Sequence, residues 1–181
     1  MKALVKLIAG VRDDGVIGNA DHSLPFKSSR DMKRFKELTS GHHVIMGRVT
    51  FDTLKRPGGL PNRYNYVVSR TNSWSAMARL CGSLDQAIQD CHDSNEVIGY
   101  PKDIWIIGGA SIYKEAIERT LVDEYYLTIV HQPGEVHPAQ VHFPVSLDVF
   151  MLSEGAEIVH EPATETDPAL TFLTVKQPRS A

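Results

Sequence analysis

With 181 residues, 42% of them hydrophobic and 23% charged, the chain has the make-up of an ordinary globular protein. It is long enough to bury a substantial core and is read as one domain spanning residues 1–181. A net charge of -3 at pH 7 excludes a basic surface for nucleic acid or anionic lipid, and no run approaches the roughly 20 apolar residues that span a bilayer.

The opening MKALVKLIAGV is broken by Arg12-Asp13-Asp14-Gly15 and carries no small-residue cleavage site, so it reads as a first strand, Ala3 to Val11, and not as a signal sequence. From Arg12 to Lys27 runs a polar loop containing Gly15, Gly18 and Pro25, longer than most connections and therefore a functional candidate. Ser28 and Ser29 are candidate N-caps for a helix from about Arg30 to Thr39, closed by Gly41. A strand from His43 to Met46 leads into a short helix from Arg48 to about Leu54, and Arg56 to Asn62, rich in Pro and Gly, forms a loop. Strands are expected at Tyr64 to Ser69 and Met77 to Cys81. Ser83 with Gln86 then makes a capping box for a helix reaching about His92. The most apolar strand, Ile104 to Ile107, feeds a helix from Ala110 to Glu118, followed by a strand from Glu124 to Val130. Beyond it Pro133, Pro138, Pro144, Pro162 and Pro168 punctuate the chain, and Phe150 to Ser153, Glu157 to His160 and Leu170 to Lys176 read as antiparallel strands. Strand–helix–strand units with an antiparallel finish predict an α/β domain: a mixed, mostly parallel sheet flanked by helices. The two cysteines, Cys81 and Cys91, lack metal-ligand spacing, and reduced thiols of a cytoplasmic protein are expected.

Two stretches are built alike. VIMGRVTF (Val44 to Phe51) and IWIIGGASIY (Ile104 to Tyr113) each run from an apolar strand through glycine into a helix start. Glycine lets backbone approach a ligand, and a helix start offers unpaired N–H groups to an anion. Two such junctions fit a ligand with more than one phosphate, such as a dinucleotide; Gly47, Arg48 and Thr50 form the first and Gly108-Gly109 the second. Ordinary tight turns explain the same residues equally well, and the absence of GxGxxG disfavours a standard Rossmann site.

Asp31 lies on the helix one turn before Phe35, with Met32 beside it, which puts its carboxylate on the apolar stripe and Arg30, Lys33, Arg34 and Glu37 on the wet side. It is either a first-turn acid complementing the helix dipole or a carboxylate at the rim of an apolar pocket, able to hold an amino-substituted heterocycle. Arg63 could bind a carboxylate at a cleft edge. The eight histidines form no metal pattern, His137 and His142 are read as loop residues, and no serine stands in a nucleophile elbow.

The motifs LIAGV, GVIG, LPF, Asp31 with Phe35-Lys36, VIMGR, RPGGLPNR, VVSR, IWIIGGASIY, YYLT and HFP occur in one collinear series, and in it the chain resembles the dihydrofolate reductase family over nearly its full length. The resemblance implies NADPH as cofactor and dihydrofolate as substrate, with hydride transfer to pterin C6 and a proton added at N5. Cofactor contacts would come from Ala9, Ile17, Gly47, Arg48, Val49, Thr50, Ser69, Arg70, Ile107, Gly108, Gly109, Ala110, Ser111, Ile112 and Tyr113, with Ser69 and Arg70 at the adenosine 2′-phosphate. Substrate contacts would come from Leu7, Ile8, Asp31, Met32, Phe35, Leu54, Arg63, Ile107 and Tyr113, with Arg63 on the glutamate carboxylate. Asp31, Thr128, Leu24 and Phe26 form the implied catalytic set. The same resemblance implies a cis Gly108–Gly109 peptide, a 12–27 loop that closes over the nicotinamide, antifolates as ligands of the same pocket, a monomer, and no metal, nucleic-acid or membrane partner.

Three positions depart from the family pattern. Phe26 stands where many bacterial members have tryptophan, the Gly18–Pro25 loop is one residue longer, and Ala139-Gln140-Val141 replaces Gly-Asp-Thr before the FP pair. Two other readings compete with this one: a riboflavin-pathway type of reductase, disfavoured by Asp31 together with Arg63, and a non-catalytic folate-binding or structural subunit.

Overall fold

Branched and aromatic residues in short runs pair into one eight-stranded sheet in the computed structural model, which describes residues 3–71, 78–134 and 137–177. In chain order the elements are β1 (Val5–Arg12), β2 (Val16–Gly18), α1 (Ser29–Thr39), β3 (His43–Gly47), α2 (Arg48–Thr53), β4 (Tyr64–Val68), β5 (Arg79–Cys81), α3 (Leu84–Ile98), β6 (Ile104–Ile106), α4 (Ala110–Glu118), β7 (Glu124–His131), β8 (Val141–His142), α5 (Leu147–Met151), β9 (Glu157–Glu161) and β10 (Ala169–Lys176). The main sheet runs β5-β4-β3-β6-β1-β7-β10-β9. Its first six strands are mutually parallel, and β10 lies antiparallel between β7 and β9. The predicted mixed α/β architecture is therefore the one observed.

Both faces of the central strands are covered, which is why β3 and β6 read as unbroken apolar runs. On one face Ile8, Val44, Met46, Phe51, Val67 and Trp105 pack with Phe35 and Leu38 of α1 and with Leu54. On the other, Leu7, Ala9, Val11, Ile45, Ile104 and Ile106 pack with α3 and α4 through Leu84, Ala87, Ile112 and Ala116. Side chains alternate along β1, so Ile8 and Leu7 belong to opposite layers.

Several boundaries differ from expectation. The polar 12–27 loop contains β2, which pairs with β8 in a separate two-stranded ribbon, so His142 is a strand residue. Strands of three and two residues are too short for a period to show. Helix α3 continues six residues past His92 to a Gly99 cap with φ of +82°. There Asn95 accepts from His43 and from the Lys102 N–H, a tertiary reason to stay helical across Asp93-Ser94-Asn95. The capping box at Ser83 forms, although Gln86 reaches back to the Gly82 N–H and not to that of Ser83. Phe150 to Ser153 is not a strand: Phe150 and Met151 belong to α5, held by Phe150 packing on Tyr125 at 4.9 Å between centroids. The strand expected from Met77 is Arg79–Cys81; Met77 itself lies outside the described residues.

Candidate active site

All six parallel strands present their carboxyl ends at one edge, the place where open α/β sheets bind ligands. Gly10 near the end of β1, Gly47 ending β3, Ile107 to Gly109 after β6 and Thr128 in β7 all lie toward it.

Asp31 is placed there by the cap of α1. The Ser28 side chain accepts the Asp31 N–H at 3.2 Å, and Ser29 donates its N–H to Asp167 Oδ1 at 2.7 Å and its hydroxyl to Oδ2. Arg30 ties the same turn to Glu161 at 2.9 Å, so the helix start is bound to the 161–168 segment. The half-buried Asp31 carboxylate stands beside Thr128. Burial pushes its pKa above the usual carboxylate range, and Thr128 and the nearby Arg34 cation oppose that rise only in part. Thr128 is 1% exposed and stands opposite Gly10 on β1 and Phe172 on β10. A methyl group at Gly10 would come within 2.5 Å of Phe26 Cζ and 3.3 Å of Asp31 Oδ2. Glycine is needed there because the Phe26 ring occupies that space, packed with Val130, Leu170 and Phe172.

The two glycine junctions pack on each other. Gly47 N–H donates to Gly108 O at 2.7 Å, and a Cβ at Gly47 would lie 3.2 Å from Ile112 Cγ1. A Cβ at Gly109 would lie 3.2 Å from Thr50 Oγ1, and one at Gly108, where φ is +109°, would touch the Tyr113 ring at 3.0 Å. The Gly108–Gly109 peptide is cis, as the resemblance implied. Neither α2 nor α4 has a side-chain N-cap. The buried Tyr113 hydroxyl donates to Ile8 O at 2.8 Å; burial, then the charge on Asp31, holds its pKa far above that of a free phenol. Through Ile8 the junction side and the Asp31 side meet on one strand.

The remaining expected residues fall into three groups. Ile8, Phe35, Leu54 and Ile107 share the apolar layer under Asp31, and Ala9, Ile17 and Tyr113 share the opposite one. Leu24 (57% exposed), Met32 (51%) and Val49 (53%) offer free apolar surface, the first two around an open cavity of about 510 Å³ that Phe26 also lines. Arg63 is no loose surface cation: its Nε and Nη2 reach Thr39 Oγ1 at 3.1 and 3.0 Å and its Nη1 the Pro61 carbonyl at 2.8 Å. Ser69 is buried with its hydroxyl near Thr71, beside the exposed Arg70.

Two site assignments and one surface reading need correction. Leu7 is fully buried in the layer opposite Phe35 and Leu54, so its side chain cannot pack on a ligand held by Asp31. Ile112 points into the core against Gly47, and its N–H is taken by Gly109 O at 3.0 Å, so it supports the junction from behind. Arg34, expected on the wet side, lies instead over Tyr126 and Phe172. Its i, i+3 relation to Asp31 was the available signal. Asp167 had none, being remote in sequence from the helix it anchors.

The 12–27 loop is braced by the β2–β8 ribbon, with Phe143 N–H donating to Gly15 O at 2.9 Å. Its tip is a self-contained turn, Asn19 N–H to Ser23 O at 2.9 Å. Gln140, at the place of the family's acid, accepts from the His137 N–H at 3.0 Å in its own turn.

Comparison with known proteins agrees with this layout. The dihydrofolate reductase family model matches residues 4–177. Dihydrofolate reductase type 3 of Salmonella typhimurium is 33% identical over 177 residues, 97% of this chain and 99% of that protein. The dihydrofolate reductase of Mycobacterium leprae is 37% identical over 140 residues, 74% of this chain and 79% of that protein. In fold, the chain is similar to Enterococcus faecalis dihydrofolate reductase solved with NADP(H) and RAB-propyl, at a TM-score of 0.76 and 24% identity over 94% of each chain. A family model that spans nearly every residue, on a sheet that gathers Asp31, Thr128 and both glycine junctions at one edge, makes this chain a member of the dihydrofolate reductase family.

Proposed function

We propose that this protein reduces 7,8-dihydrofolate to 5,6,7,8-tetrahydrofolate with NADPH, as the family it belongs to does, and that it works as a single-domain, cytoplasmic monomer. The observation that carries the residue assignment is Asp31: a carboxylate fixed by its helix cap and by Thr128, above an apolar layer, one strand away from two glycine junctions. NADPH fits those junctions because a Cβ at Gly47, Gly108 or Gly109 would meet Ile112 Cγ1, the Tyr113 ring or Thr50 Oγ1, so that only glycine lets the two turns pack this closely and present Arg48, Thr50 and the α4 start to its phosphates. When bound, it supplies the hydride.

The protein's own groups do the rest. Ile8, Phe35, Leu54 and Ile107 provide a dry floor for a flat ring. The two Asp31 oxygens accept from the ring's amino and N3 hydrogens, and their negative charge favours a proton on the pterin, while the carboxylate stays clear of N5 itself. Water carrying the N5 proton enters past Leu24 and Phe26 at the mouth of the 12–27 loop. Arg63, its fork already set by Thr39 and Pro61, takes the glutamate carboxylate. The pocket that takes dihydrofolate would also take antifolates.

The test follows reduced-nicotinamide absorbance with dihydrofolate present, for the wild-type protein and Asp31→Asn. We expect kcat at pH 7 to fall by about a hundredfold in the variant, the usual scale for losing a positioned acid–base group. Equal rates would falsify the role given to Asp31.

A further inference from the structure

Arg34 sits one turn after Asp31 and faces the same sheet edge. Its guanidinium carbon lies 4.7 Å from the Phe172 ring centroid and 5.7 Å from that of Tyr126. Nη1 reaches Thr128 Oγ1 at 3.3 Å and Leu127 O at 3.4 Å, and Nη2 reaches Thr174 Oγ1 at 3.5 Å. Tyr126 is registered against Thr174 and Thr128 against Phe172, so the guanidinium lies over a block of four side chains on β7 and β10. All three bonds are long and none goes to a carboxylate. The charge is thus held in place by rings and hydroxyls without being neutralised by them.

Thr128 has one hydroxyl proton and two lone pairs. Arg34, which can only donate, occupies a lone pair. The proton is therefore free to turn toward Asp31, whose Oδ2 lies beside Gly10, the residue paired with Thr128 across β1 and β7, so that Arg34 N–H, Thr128 O–H and the Asp31 carboxylate stand in order. We propose that Arg34 is a positioning residue for the reduction, fixing Thr128 as a donor and so holding Asp31 as an aimed anion beneath the substrate ring. This rests on the reading of Asp31 as the group that holds the pterin.

The groups facing the pair are few. Ile8, Gly10 and Phe26 are uncharged, and Tyr113 from α4 is kept neutral by burial. Phe172 and Thr174 face it from β10, and Tyr126 spends its hydroxyl on Glu124 at 2.9 Å, an acid itself paired with Lys6 at 3.3 Å. Arg34 is thus the cation that opposes the burial of Asp31, and its effect on the carboxyl is downward.

The experiment measures the pH dependence of kcat/KM for dihydrofolate at saturating NADPH, together with the carbon-13 titration of the Asp31 carboxyl. Wild type, Arg34→Met, Arg34→Lys, Thr128→Val and Asp31→Asn are compared. Removing the cation should move the Asp31 midpoint to higher pH and lower kcat/KM at pH 7 by roughly tenfold, the scale of one hydrogen bond to a charged group. Arg34→Lys should recover part of both, and Thr128→Val, which breaks that order from the other side, should move the midpoint in the same direction as Arg34→Met. Should Arg34→Met not fold, the lysine and valine variants carry the same test. A wild-type midpoint in Arg34→Met, or in Thr128→Val when the former cannot be made, overturns the inference, as does a loss that lysine leaves undiminished. If Asp31→Asn is as active as wild type, the underlying assignment of Asp31 has failed instead.

Discussion

At the level of single residues, Asp31 sets binding against stability. Its carboxyl has a pKa raised by burial, so the folded protein prefers it protonated, while the proposed chemistry uses it ionised. For a group whose folded pKa lies above its unfolded value, the stabilisation is complete below the unfolded pKa and is lost as pH rises through the folded one. Asparagine mimics the protonated acid at every pH. Asp31→Asn should therefore melt at a higher temperature than wild type at pH 7, by about 2–4 °C for each kcal/mol recovered in a domain of this size. The gain should vanish when the buffer is brought below the ordinary aspartate range. A scanning-calorimetry series in pH checks this; a variant that melts lower than wild type at neutral pH contradicts the sign. Gly10 shows the same economy of space, since the room for the Phe26 ring beside Asp31 exists only because β1 carries no side chain there.

Among the elements, α1 matters most, because it delivers both Asp31 and Arg34 and is anchored from far along the chain. Asp167, 6% exposed, takes both the N–H and the hydroxyl of Ser29, and those bonds, the Ser29 hydroxyl foremost, hold its pKa below the usual carboxylate range. Its contribution is present above the unfolded pKa and fades as pH falls through the folded one. Asp167→Ala should free the first turn of α1, raise KM for dihydrofolate by roughly threefold through misplacement of Asp31, and change kcat less. Steady-state kinetics beside thermal melts would show it, with the melting difference closing on acidification; unchanged KM would mean that α1 needs no such anchor. This bond explains what could and could not be read in advance. The helix itself, its cap at Ser28 and the apolar stripe through Phe35 are local patterns, and so are the runs that became β3 and β6. Asp167 meets Ser29 only after the chain has passed through strands β3 to β9, and β2 and β8 are strands only because they meet each other. Arg34 was misplaced because a charged residue on a helix is ordinarily solvated, and only the pairing of β7 with β10 creates the surface that receives it. Leu7 and Ile8 were credited alike, although the alternation along β1 sends them to opposite layers.

At the scale of the whole molecule, the parallel sheet brings together chain segments that are distant in sequence. Gly47 to Thr50, Ser69-Arg70 and Ile107 to Tyr113 follow three different strands, yet β4, β3 and β6 are consecutive neighbours, so their carboxyl ends lie in a row. A cofactor laid along that row would tie all three segments, of which the Gly47 and Gly108-Gly109 turns already pack on each other. Binding to the folded state alone stabilises it by mass action, about 2.7 kcal/mol at a hundredfold excess over Kd, which corresponds to roughly 5–10 °C in Tm. NADPH should produce that shift. NADH, lacking the 2′-phosphate assigned to Ser69 and Arg70, should produce a clearly smaller one at equal concentration. Arg70 is exposed at the far end of the row, so Arg70→Ala should leave the unliganded melting temperature unchanged and bring the NADPH shift down toward that of NADH. Thermal shifts of both proteins against both nucleotides decide the matter. A wild-type response that is the same for NADPH and NADH would remove the 2′-phosphate from the β4 end of the row, while a preference that survives Arg70→Ala would pass the recognition to Arg48 or to Ser69.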